Sequence, residues 1–304
     1  WLAGVESGIS NSLRRQMRIT LNEFLAQQAA SKAQNLTNSG RGVHPVASSL
    51  EWMLEQTFPS QCMLAVVHIQ WQQACKQAFN DEQPLPAFRK ELDGVKQSLD
   101  MLVRANNGSG TAVLNSRKQI ISMLLITMVH LRDTMDAMIA ASNAGNSLRS
   151  DSFLWESLLR FEWMPSVGTG EVRLRQNNVP LEYGYEFVGS ASRLVVTPVT
   201  QRCWLAITTA LAVCSGVSCF GPTGGGKSET CGDLARLMGK HTVVFNCSEQ
   251  LGEKVLTRLL GGLLQCGSWL ILDEINRAPT EVLSIFGAQF QEIRAARFAG
   301  RDNV

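Results

Sequence analysis

A run of glycines closed by a lysine and a hydroxyl residue is the side-chain pattern that phosphate binding requires. It stands at Gly221-Pro222-Thr223-Gly224-Gly225-Gly226-Lys227-Ser228. The run fits G-x-x-x-x-G-K-[ST] and sits between a short apolar stretch and a helical pattern, the context this motif needs. Glycines let successive backbone N–H groups wrap phosphate oxygens, Lys227 places a cation on the β and γ oxygens, and Ser228 offers its hydroxyl to magnesium. A helix opening near Lys227 adds the positive end of its dipole. The chemistry implied is binding of ATP or ADP with Mg2+.

A second cluster lies downstream. Trp269-Leu270-Ile271-Leu272 is followed by Asp273 and Glu274, as expected when a buried strand delivers carboxylates to the C-terminal edge of a parallel sheet, where such sheets bind ligands. In isolation the two acids are as often a solvated turn; with the glycine loop upstream, Asp273 becomes a magnesium ligand and Glu274 the group that orients and deprotonates a water attacking the γ-phosphate. Asn246 ends the preceding apolar stretch on the same edge, where its amide can hold that water or Glu274, or can simply end a strand. Arg277 is read as structural. The histidines at 44, 68, 130 and 241 are isolated and are read as core or surface residues.

The elements that must position these groups follow from periodicity. Beyond residue 176 the pattern is strand 217–220, helix 227–239, strand 242–246, helix 252–265, strand 269–272 and helix 279–296, an alternation that predicts an α/β fold with a parallel sheet covered on both faces. The first half reads as helical. Ile121, Leu124, Leu125, Met128, Leu131, Met135 and Met138 recur at spacings of three and four, one stripe of a long helix. An earlier apolar block (Trp52, Met53, Leu64, Val66, Val67, Ile69, Trp71) is joined to it through Pro84, Pro86 and a Gly-Ser turn at 106–110. Segments 31–44 and 142–151 read as loops, Asp151 or Ser152 as the cap of a short helix, and Val172–Arg175 as a strand. A domain boundary is placed near 176, giving a helical 1–175 and a nucleotide-binding 176–304.

Composition narrows the class. The chain has 304 residues, 45% apolar and 18% charged, enough for one large or two ordinary globular domains. A net charge of +2 provides no field that would draw in nucleic acid or an acidic membrane. The uncharged stretch Cys203–Phe220 reaches the length of a minimal membrane span, but Ser215, Gly216 and the glycine loop behind them favour a helix followed by a buried strand. Eight cysteines without C-x-x-C pairing or histidine alternation read as reduced core residues of a cytosolic protein, where the three glycosylation sequons carry no weight. Opening at Trp1 without methionine, signal peptide or lipidation motif, the sequence reads as an excerpt.

The glycine loop with an Asp-Glu strand suggests an AAA+ ATPase, and further stretches resemble the dynein heavy chains. Leu181–Gly189 with Arg193–Cys203 resembles the segment leading into that family's first AAA+ module, Gly221–Thr230 its P-loop, Val243–Ser248 its next strand, and Asp273–Arg277 with Glu281–Ser284 its acidic motif. Upstream, Trp1–Gly8 and the block from Glu51 to Phe79 resemble, more diffusely, the end of the linker. The resemblance implies a helical linker at 1–175 and, at 176–304, the large AAA+ subdomain, incomplete at its C-terminal end. It implies Leu194, Val195 and Thr197 against the adenine, and Glu229 within the phosphate-binding run. It also implies an activating arginine from a neighbouring AAA+ module in cis, contact with microtubules through other parts of the parent chain, association with other dynein chains, and a cytoplasmic, cytoskeletal setting that includes the ciliary axoneme. Thr223, Gly225, Ser228 and Ile275 depart from the family's usual Ala, Thr, Thr and Phe. None removes a group the chemistry uses, although Gly225 loosens the loop. The rival readings are another AAA+ remodelling ATPase and a structural ring component that only holds nucleotide.

Overall fold

The computed structural model describes residues 2–37, 44–107, 113–145, 147–165, 170–190, 193–248 and 252–300. Its internal contacts group into two compact units, Trp1–Gln201 and Arg202–Val304. The expected boundary near 176 therefore falls inside the first unit, where a two-residue hairpin turn joins two paired strands.

In the first unit, helix α1 (Leu2–Thr37) buries Leu13, Met17, Leu21 and Phe24, an i, i+4, i+4, i+3 stripe. It packs on α2 (Pro45–Glu55) and α3 (Ser60–Phe79). Helix α3 is buried on nearly every face, with Cys62, Val66, Ile69 and Cys75 fully enclosed and Gln61, His68, Gln70 and Gln72 buried among them. Around it lie α1, α4 (Pro84–Asn107) and α5 (Val113–Asn143).

Helix α4 occupies the stretch expected to be a connection. Its prolines stand in the first turn, where a missing N–H costs nothing, and Phe88, Leu92, Val95, Leu99 and Leu102 form its buried stripe. The expected stripe of α5 is buried from Ile121 to Met138, with Leu125 at its half-buried margin. Of the expected loops, 31–37 continues α1, 38–43 and 146 lie outside the described residues, 142–143 end α5, and turns stand at 144–145 and 150–151. Most of the Gly-Ser turn, residues 108–110, also lies outside them.

A short helix, α6 (Phe153–Glu156), starts at Ser152, whose carbonyl accepts its first-turn bonds while its side chain makes no capping bond, and leads into an antiparallel sheet of β1 (Arg160–Met164), β2 (Glu171–Gln176) and β3 (Val179–Glu182). The register sets Phe161 opposite Leu174 and Trp163 opposite Val172. Phe161, Val172 and Leu174 turn inward while Arg173 and Arg175 face solvent. Arg160, 4% exposed, is held by two charge-assisted bonds to Glu156 of 2.9 and 2.7 Å. Trp155 joins the sheet to the helices, its ring 5.6 Å from Trp71 and 5.1 Å from Phe79.

The stretch after β3 is fastened to the start of α3 by Gln61, itself 4% exposed. Gln61 Nε2 donates to Tyr183 Oη at 2.7 Å and to Glu186 O at 2.9 Å, and its Oε1 accepts from Val188 N at 3.2 Å. Ser190 Oγ donates to Ser60 Oγ at 2.9 Å, and Tyr185 Oη accepts from Val172 N at 2.6 Å while Arg14 lies 4.6 Å over its ring.

The second unit begins within α7 (Pro198–Ala212) and continues through α8 (Lys227–Leu237), β4 (Thr242–Asn246), α9 (Glu253–Cys266), β5 (Trp269–Asp273), a 3-10 turn at Ile275–Arg277 and α10 (Thr280–Phe298). Strands β4 and β5 pair in parallel, and the fold class is α/β. Cys247, Leu256, Leu260, Ala278 and Val282 form a core, flanked by Phe245, Leu270 and Leu272 from the strands and Leu283 and Phe286 from α10. Helix α8 packs on the same strands.

Two expectations need correction here. Residues 217–220 form no strand: among the described residues the parallel sheet has two strands, none lends these residues a ladder, and Phe220 is 92% exposed. A strand is defined by the neighbour that takes its N–H and C=O groups, and four apolar residues do not supply one. Nor is the sheet covered on both faces, since Val244 is 58% exposed. Among the described residues no helix is long and apolar enough to cross a membrane.

Candidate nucleotide site

The glycine loop runs directly into α8. Gly226 is the residue preceding its first turn and has φ +74°, and Gly224 has φ +77°. Both lie in the left-handed region that a side chain disfavours, the backbone habit of an anion-binding nest. At Gly225 a Cβ would stand 3.1 Å from Pro222 O, to which Gly225 N already donates at 3.2 Å. The missing side chain therefore permits a close turn as well as the looser loop expected.

Lys227 Nζ donates to Gly221 O at 3.1 Å and Pro222 O at 2.8 Å. Its ammonium is thereby folded over the loop, held by neutral carbonyls that an anionic phosphate would outbid. Ser228 is half-buried on the first turn beside it. Glu229 is exposed there, 3.7 Å from Arg236. Thr230 Oγ1 donates to Gly226 O at 2.7 Å, and the buried Trp204 of α7 donates its indole N–H to Thr230 O at 3.3 Å, fixing the start of α8 from a second helix.

The acidic motif sits where the sequence pattern puts it. Asn246 and Asp273 are register partners at the C-terminal ends of β4 and β5, and Cys247 N donates to Asp273 O at 2.9 Å, which extends the ladder by one bond. The chain then turns at Glu274, whose φ 52° and ψ 42° are left-handed. For a glutamate this conformation carries strain of about 1–2 kcal/mol. It swings the carboxylate out of the strand's alternation, beside Arg277 at 3.7 Å. Burial, and then the Asp273 carboxylate, push the Cys247 thiol pKa up.

The loop amides and Lys227 suit a polyphosphate, and the Ser228 hydroxyl with the Asp273 carboxylate is a hard oxygen donor pair suited to Mg2+. Leu194, Val195 and Thr197 belong to the first unit. Leu194 is half-buried and Val195 is 62% exposed. Thr197 and Thr200 bond reciprocally at the start of α7: Thr197 N donates to Thr200 Oγ1 at 2.7 Å and Thr200 N to Thr197 Oγ1 at 3.3 Å. Thr197 is therefore a helix cap whatever else it does.

Sequence reasoning missed two features near this site. One is the left-handed Glu274, which no residue type advertises. The other is the placement of the cysteines: Cys62, Cys75 and Cys247 are buried, but Cys203, Cys219 and Cys266 are exposed and Cys214 and Cys231 half-buried. The expectation of eight core thiols fails because an apolar neighbourhood in sequence does not fix which face a side chain takes. The histidines divide as expected between core and surface, with His68 enclosed and His44 capping α2 through Val46 N.

Residues 183–304 match the family described as the hydrolytic ATP binding site of dynein motor region. The chain is 33% identical over 301 residues to dynein axonemal heavy chain 2 of Mus musculus, covering 97% of this chain and 6% of that one. It is 35% identical over 251 residues to dynein axonemal heavy chain 10 of Homo sapiens, covering 82% and 5%, and 34% identical over 245 residues to human dynein axonemal heavy chain 3, covering 81% and 6%. The chain thus spans a small fraction of the length of these relatives.

Proposed function

The chain belongs to the dynein heavy-chain family, and on that premise we propose that its second unit binds and hydrolyses ATP as part of a motor that moves on microtubules. The observation that carries this reading is the parallel register of Asn246 with Asp273 on a sheet packed against α8, the helix that opens with Lys227 and Ser228.

The amides of Gly221, Pro222, Thr223, Gly224, Gly225 and Gly226, less the proline's, take the phosphate oxygens, and Lys227 exchanges its two carbonyl partners for the β and γ oxygens. Ser228 and Asp273 would hold Mg2+, which when bound neutralises charge between those phosphates. Glu274 accepts the proton of the attacking water, and Asn246, adjacent to Asp273, orients it. Glu229 lies at the edge of the phosphate run, and Leu194, Val195 and Thr197 supply the base pocket. In this reading the linker occupies 1–175 and the AAA+ large subdomain 176–304.

A neighbouring module in cis supplies the arginine that completes hydrolysis. Without such a residue turnover falls by about 10³–10⁵, so these residues alone bind nucleotide and hydrolyse it slowly. The parent protein engages microtubules through other parts of its chain, works with other dynein chains, and acts on the cytoskeleton, including that of the cilium. The relatives' names, which are axonemal, support the ciliary setting. No observation favours the remodelling or purely structural rivals.

Titration calorimetry of the chain with magnesium-ATP, beside Lys227→Ala and Asp273→Asn, tests the site. Saturable binding by the wild type is expected, lost in the first variant and made independent of magnesium in the second. Equal affinity in all three refutes the reading.

A further inference from the structure

Two residues before the glycine loop stands Cys219, and one turn into the helix behind the loop stands Cys231. Their sulfurs lie 3.8 Å apart, within contact distance of each other. Cys219 is exposed and Cys231 half-buried. The two flank residues 221–228 along the chain, so a bond between them closes a ring around the whole phosphate-binding run.

We propose that Cys219 and Cys231 form a reversible disulfide that lowers the affinity of the loop for nucleotide. This rests on the reading of residues 221–228 as a nucleotide site. A disulfide needs its sulfurs about 2.05 Å apart, so the pair must close by less than two ångströms, within reach of side-chain rotation and a small shift of the loop. Cys219 can shift because the chain around it is held by no strand ladder, as Phe220 shows by its 92% exposure. Cys231 is on a helix fixed through Thr230 by Trp204. The bond would therefore pull the approach to Gly221 toward α8, against the opening that a phosphate between the loop and Lys227 requires.

The oxidant is a peroxide. The thiolate sulfur of exposed Cys219 attacks one peroxide oxygen, the O–O bond breaks, and Cys219 becomes a sulfenic acid with release of water. The Cys231 thiolate then attacks that sulfur and expels hydroxide, which leaves as water once protonated. Two thiols and one hydrogen peroxide become one disulfide and two waters. Burial, and after it the adjacent Cys219, push the Cys231 thiol up to about 12, so attack by Cys231 is the slower of the two steps.

The test treats the reduced chain with hydrogen peroxide, measures intact mass and maps peptides without reduction, then titrates magnesium-ATP before oxidation, after it, and after dithiothreitol. The expected result is a loss of two hydrogens mapped to Cys219–Cys231, affinity weakened about tenfold or more, and recovery on reduction. Cys219→Ser and Cys231→Ser should each abolish both changes. A crosslink through Cys203, one between molecules, or the correct crosslink with unchanged affinity overturns the proposal. If reduced wild-type chain binds no nucleotide, the site reading fails, while the mass map still decides whether the two thiols pair.

Discussion

Replacing Gln61 by leucine isolates the cost of unfastening the segment that leads out of β3. The two side chains are similar in volume, so the change opens little cavity; it removes the amide that donates to Tyr183 Oη and Glu186 O and accepts from Val188 N. Each such bond contributes about 1 kcal/mol net, and leaving a buried partner unsatisfied adds about 1 kcal/mol or more. With Gln61 4% and Tyr183 5% exposed, water cannot replace all three bonds. The expected loss is about 3–5 kcal/mol, a large share of the roughly 5–15 kcal/mol that folds a domain. For a urea slope of about 2 kcal/mol/M, the midpoint of the first unit falls by about 1.5–2.5 M. Urea titration followed by tryptophan fluorescence, with hydrogen exchange at the Val188 amide as the local reporter, measures both. Gln77→Leu on the exposed face of the same helix is the control and should stay within about 0.5 kcal/mol. An unchanged midpoint together with an equally protected Val188 amide would refute the account of this anchor.

Glu274→Gln should keep magnesium-ATP affinity within about threefold and abolish turnover in the full-length parent, since it removes a base without removing a phosphate ligand; single-turnover kinetics decides. Gly94→Ala should destabilise the first unit by about 1–3 kcal/mol, because a Cβ there overlaps the His44 imidazole; the melting temperature of the variant measures it. Acid should loosen the same unit. Burial first, then Arg193, holds His130 down to about 4, and burial holds His68 well below its ordinary value. The unfolded chain therefore takes up protons that the folded one refuses, so stability falls as pH drops from about 6.5 toward about 4 and rises again with pH. His68→Asn should flatten that slope in urea titrations across the range, whereas a slope identical to wild type would exclude the histidine as its source.

Periodicity made some of this structure readable and misled elsewhere. The stripe from Ile121 to Met138 was legible because one helical face is buried along its length. The same logic applied to Phe88–Leu102, but Pro84 and Pro86 looked like punctuation, although a proline in the first turn starts a helix as readily as it breaks one. The position of Asp273 at the end of β5 was legible because four apolar residues broken by two acids mark where such a strand ends. The residues before the glycine loop were not, because strand formation depends on a partner that the local pattern does not contain. Burial of the cysteines was misjudged for a related reason: an apolar run gives the company a residue keeps along the chain, whereas its exposure depends on what crosses over it in space.

The anchor at Gln61 also bears on how such proteins can be cut and recombined. The match to the ATP-binding-site family begins at Tyr183, while similarity to the heavy chains runs along nearly the whole chain; the first of these invites anyone designing a minimal ATPase, or exchanging modules between related motors, to place a junction there. By packing, Tyr183, Tyr185 and Val188 are part of the helical unit. A junction at 183 would export two buried tyrosines into water and leave the glutamine at the head of α3 facing an empty slot. Inheritance and design alike must carry this stretch together with the helices that hold it, so the transferable piece is longer than the match to the ATP-binding-site family outlines.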